Sequence, residues 1–125
     1  MAEDIKDLAL AKHSSRVATH LKDDGIFVDA LSAARFAMAY AIKFYRRDFD
    51  TLEKLDQIGT AYDTSGNNYS VGSVDPDGYI LKLMNLLYPG IETPYRYVRI
   101  IMCYGLNKIG DLYEAHQFPP VNKSM

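Results

Sequence analysis

Asp29-Ala30-Leu31-Ser32-Ala33-Ala34-Arg35-Phe36-Ala37-Met38-Ala39-Tyr40-Ala41-Ile42-Lys43-Phe44-Tyr45-Arg46 is the stretch that decides how this chain folds. The Asp29 carboxylate can accept from the first unpaired N–H groups of a helix, so the spacing predicts one from Asp29 through Arg46. Six alanines, at 30, 33, 34, 37, 39 and 41, favour that helix and would let a neighbour approach closely. One narrow polar line crosses it, through Ser32, Arg35, Lys43 and Arg46. A helix this apolar around its girth must be covered on most sides. A chain of 125 residues can cover it only partly, so a partner subunit, and hence a homo-oligomer, is expected.

Upstream, Ser14 or Ser15 can cap a short helix running to Asp24, with Asp24-Gly25 as the turn. Residues 7–12 alternate in size and fit either a strand or the start of that helix. Downstream, Leu52, Leu55 and Ile58 suggest one or two helical turns, followed by turn chemistry over residues 63–68. Tyr62, with Tyr69 and Val71 beyond it, allows a small hairpin near 60–74; a loop is the alternative. Asp75-Pro76 opens a helix to Tyr88 that buries Ile80, Leu83, Met84 and Leu87 and stops at Pro89-Gly90. Thr93-Pro94 opens a longer one to His116, ended by Phe118-Pro119-Pro120. Its apolar stripe is Val98, Ile101, Met102, Gly105, Ile109, Leu112 and Tyr113, with Arg96, Arg99, Asn107 and Glu114 on the other side. The expectation is a single mainly α domain over 1–125 with four to five helices, with a short N-terminal strand and a small hairpin near 60–74 as the open alternatives. Its termini, 1–13 and 117–125, are expected to be loose.

Composition sets bounds on function. Forty-eight percent of residues are hydrophobic, enough for a packed core. No apolar run approaches the ~20 residues of a membrane helix, and MAEDIKD is acidic where a signal peptide is basic. A cytoplasmic, membrane-free protein is the expectation. The single Cys103 excludes an intramolecular disulfide and a cysteine-based zinc cluster.

No residue pattern argues for catalysis or for a cofactor. His13 and His20 stand seven apart, whereas metal ligands on adjacent turns want three or four. Cys103 lies between Met102 and Tyr104 with no base in view, so a packed thiol is expected. The acids around 48–56 and 75–77 lack the alternating ligands of a calcium loop. No phosphate loop, nucleophile elbow or zinc-protease motif occurs.

The charges say more. The formal net charge is -2, but residues 1–47 carry eight Lys/Arg against six Asp/Glu, residues 48–92 two against eight, and residues 93–125 four against two. Basic ends flanking an acidic middle can make one positive face if they meet in space. Arg35, Lys43, Arg46 and Arg47 lie on or just past the polar line of the alanine-rich helix. Arg16 and Lys22 belong to the helix before it. Held on helices, these six are the candidate phosphate contacts. Pairing with the acidic middle is the competing fate. Ten tyrosines and no tryptophan suit wet interfaces or base stacking.

Residues 17–27 (VATHLKDDGIF) followed by residues 34–39 (ARFAMA), then DPDGYI at 75–80 and RIIMCYGLNKIGDL at 99–112, together resemble the DNA sulfur-modification protein family DndE. The likeness spans residues 14–115. The family's basic cluster after the lysine of its first helix is replaced here by Asp23 and Asp24, and only Lys22 matches. The resemblance implies a small helical, non-enzymatic protein that oligomerises and contacts DNA backbone within a phosphorothioation or phage-defence system, alongside partner proteins. The strand-helix-turn-helix order at the N-terminus also resembles ribbon-helix-helix regulators, in which Lys6, Lys12 and His13 would approach DNA. A subunit binding only protein is the third expectation.

Overall fold

The computed structural model describes residues 3–59 and 66–116. In chain order, strand β1 (Asp7–Ala9) leads into α1 (Lys12–Asp23) and α2 (Ala30–Tyr45), and a 3-10 turn over Arg46–Phe49 leads to α3 (Leu52–Ile58). Strand β2 (Asn68–Ser70) then runs into a one-turn helix α4 (Val71–Val74), followed by α5 (Tyr79–Leu87) and α6 (Pro94–Glu114). The mainly α class is as expected, and of the two alternatives for residues 7–12 the strand is the one that forms. Among the described residues there are six α-helices rather than four to five, the addition being α4, capped by the Ser70 hydroxyl on the Ser73 N–H.

The enclosed helix is α6, not α2. Val98, Ile100, Ile101, Met102, Cys103, Leu106 and Ile109 are all buried, so α6 is covered on more than its expected stripe. Arg99, placed on its polar side by the sequence, is only 6% exposed. Two glycines allow this enclosure. A Cβ on Gly105 would stand 2.1 Å from the Ala37 carbonyl oxygen, and one on Gly110 would stand 2.8 Å from Val17 Cγ2. The close approach expected of the alanines therefore occurs, and α6 of the same chain fills the role given to a partner on that side.

From Glu3 on, the segment expected to be loose is tied to the rest of the fold. β1 pairs antiparallel with β2, Leu8 opposite Tyr69, and Leu8 and Leu10 are fully buried. Tyr69 is thus in a strand, but its partner is β1; Tyr62 and the rest of 60–65 lie outside the described residues, as do 117–125. In a ribbon-helix-helix dimer the ribbon is made by two copies, whereas here both strands come from one chain.

The caps also differ. Asp29 caps α2 as expected, accepting from the Ser32 N–H at 2.7 Å. α1 starts earlier, at Lys12 with Ala11 as its N-cap, and Ser14 and Ser15 face inward: Ser14 Oγ donates to Asn107 Oδ1 at 2.8 Å, and Ser15 Oγ accepts from the Asn67 N–H at 2.8 Å. Asn67 also holds Thr19 and accepts from the Leu10 N–H, so one turn residue ties β1 to α1. Thr93 makes no cap with its side chain. Instead Asp4 accepts from the N–H groups of Tyr95 and Arg96 at 2.8 and 3.1 Å. Asp75 does the same across its turn for Ile80 and Leu81, at 3.0 and 2.9 Å, which delays α5 until Tyr79.

Candidate nucleic-acid interface

α1 buries Ser14, Ser15, Val17, Ala18 and Leu21, so the opposite side of the helix must face solvent. Lys12, Arg16 and His20 fall there at intervals of four, one above another, with His13 beside them; all four are exposed. Lys22 is exposed near the end of the helix, 3.8 Å from Asp23. Among the described residues neither Lys12 nor Arg16 is within ion-pair reach of a carboxylate. The first turn of α1 holds no acid and Ala11 offers no capping side chain, so the positive end of the helix dipole adds to the charge of Lys12.

The other four expected contacts lie elsewhere. Arg35 is exposed, but its guanidinium donates to the Val74 carbonyl at 3.1 Å and to the Ser73 carbonyl, fastening α4 to α2. Arg46 is half-buried with its guanidinium 5.8 Å above the Tyr88 ring. Lys43 lies 5.4 Å over the Phe44 ring on the outer side of α2. Arg47 is exposed, and its carbonyl accepts from Lys54 Nζ. The structure therefore does not gather the six into one patch. Arg16 and Lys22 lie on α1, where Lys12 and His20 share the side of Arg16, while Lys43 lies on α2 and Arg47 in the turn after it. Lys12 and His20 could have been found from their spacing of four on either side of Arg16.

The acidic residues have different partners from those expected. α6 carries four tyrosines whose hydroxyls each donate to an aspartate: Tyr95 to Asp75 at 2.8 Å, Tyr97 to Asp56 at 2.9 Å, Tyr104 to Asp48 and Tyr113 to Asp24. Lys22 pairs with Asp23 and Lys54 with Asp50. A tyrosine hydroxyl satisfies a carboxylate without neutralising it, so Asp48, Asp56 and Asp75 of the acidic middle are tied to α6 by neutral donors. Burial, then the Asp75 carboxylate, pushes Tyr95 up to about 12; burial, then Asp48, does the same to Tyr104. At Asp75, burial acts upward, but the Ile80 and Leu81 N–H groups and the Tyr95 hydroxyl outweigh it and hold the carboxyl below its ordinary value.

Cys103 is buried, and its Sγ accepts from the Ala11 N–H at 3.4 Å. Burial pushes the thiol up, the opposite of what a nucleophile needs. No cluster of three His, Cys, Asp or Glu able to hold a metal occurs among the described residues. A groove of about 380 Å³ between α2 and α5 is lined by Met38, Ile42, Val74, Ile80 and Leu83, together with Arg35 and Asp75. Both Asp75 oxygens accept from neighbouring groups, so the groove offers apolar contact more than acid-base chemistry. No described helix is long and apolar enough to cross a membrane. No protein-family model, curated protein or solved structure matches the chain.

Proposed function

We propose that this chain is a non-catalytic, DNA-associated accessory protein that holds the phosphate backbone on the outer face of α1 and acts as a homo-oligomer. The observation that carries this reading is the exposed line of Lys12, Arg16 and His20, whose cations have no carboxylate within ion-pair reach among the described residues. Cations fixed at successive helical turns suit a row of phosphates, and such contacts add affinity without reading sequence. The tyrosine hydroxyls that hold Asp48, Asp56 and Asp75 on α6 support it, because acids engaged there are not free to pair with the α1 cations. A DNA-modification or phage-defence setting is what the DndE resemblance adds. A gel-shift titration at low salt on nicked, duplex and single-stranded DNA tests the reading. Retardation that fades as salt rises is expected; no retardation of any of the three overturns it.

A protein-binding subunit without DNA contact is the second reading. It is favoured by Tyr79 and Leu86, exposed on α5, the first lining the α2–α5 groove. Copurification with a protein partner, free of nucleic acid, is the result it expects.

A further inference from the structure

The outer face of α2 carries a pattern that complements itself. Asp29, Phe36 and Lys43 stand at intervals of seven, so they fall on one side of the helix as acid, ring and base. All three are exposed. Beyond them lie two further exposed apolar side chains, Val28 at 86% and Phe44 at 59%, eight residues to either side of Phe36. Phe36 itself is 40% exposed and belongs to a row of rings, 5.2 Å from Phe27 and 6.0 Å from Tyr40, with Phe44 4.8 Å further on.

From this arrangement we infer that two copies of the chain associate through α2, antiparallel and centred on Phe36. In that register Phe36 meets its own copy, each Asp29 faces the other copy's Lys43, and each Val28 covers the other copy's Phe44. The charge pairs form twice and only in the antiparallel sense; a parallel pair would set Asp29 against Asp29 and Lys43 against Lys43. Three independent features thus select the same register: the ring at the centre, the opposite charges seven residues out, and the apolar side chains eight out. The inside of α2 is occupied by α6 through Ala37 and Gly105, and Asp29, Phe36 and Lys43 lie on its exposed side. The pairing also accounts for Lys43 standing apart from the α1 cations. This inference rests on the oligomeric part of the reading above and is tested without DNA, so that failure of self-association and failure of DNA binding are separate results.

Sedimentation equilibrium on the full chain should give twice the monomer mass. Phe36→Glu places two carboxylates at the centre and should weaken the dimer by about thirtyfold or more, the loss typical of a central anchor. Its helical circular dichroism should stay at the wild-type level, because residue 36 faces outward. Phe36→Cys should form a disulfide-linked dimer under mild oxidation. Leu86→Cys, on α5, should not, and buried Cys103 should not compete. Lys43→Asp should weaken the dimer, and adding Asp29→Lys should restore it, even with the α2 cap lost. A wild-type chain that stays monomeric at high concentration, or a Phe36→Glu chain that stays fully dimeric, overturns the inference.

Discussion

Gly105 is where α6 comes closest to α2, and no larger side chain fits there without moving a backbone. Gly105→Ala should destabilise the fold by about 1–3 kcal/mol, seen as a lower midpoint in thermal or urea unfolding. Gly72→Ala is the control: nothing stands within 4 Å of a Cβ there, and the midpoint should hold or rise slightly. Asp75 is a second sensitive residue, joining two amides of α5 to a tyrosine of α6. Its carboxyl is held below the ordinary value, so its contribution is complete above the unfolded-chain value near ~4 and fades as pH falls through the folded one. Asp75→Ala should cost roughly 1–2 kcal/mol at neutral pH and flatten the acid limb of a stability-against-pH curve.

The tyrosines of α6 act as an element. Tyr95 and Tyr104 are raised to about 12, so they favour the folded state as long as they stay protonated. That contribution is full below the unfolded tyrosine value near ~10 and is lost as pH climbs toward the folded values. An ultraviolet titration should show tyrosines ionising late, in step with loss of helical signal; ionisation of every tyrosine near the ordinary value, with the fold intact, would contradict it. At α1, Arg16→Glu should weaken DNA binding markedly, while Arg35→Ala should leave binding nearly unchanged and loosen the α2–α4 junction. Helix positions were legible because they depend on local chemistry, such as Asp29 before an alanine run or Thr93-Pro94 before an apolar stripe. Caps made across the chain were not legible. Asp4 satisfies amides some ninety residues away, and nothing near Asp4 in sequence announces that. The same limit hid the partner of β2 and the burial of Arg99. For the site, periodicity places Arg16 and Lys12 on one face, but only tertiary structure reveals that the Arg35 guanidinium is engaged by two carbonyls.

At the scale of the whole molecule, the net charge of -2 conceals a division of labour. Asp4, Asp29 and Asp75 accept from helix amides and Asp24, Asp48, Asp56 and Asp75 from tyrosine hydroxyls, while Lys12 and Arg16 of α1 face outward. α2 is half enclosed by its own chain, and its outer row of rings is the face through which self-association is proposed. If two copies join through α2, each carries its own α1 cations, and a dimer presents the line twice. The most direct measurement of this account is the affinity for a short duplex across a salt series, for the wild type and for Lys12→Glu/Arg16→Glu. The account predicts that log K falls linearly with log salt, and that the double variant binds more weakly with a slope shallower by about 2. A wild-type affinity indifferent to salt, or a double variant that binds with unchanged strength and slope, would contradict it.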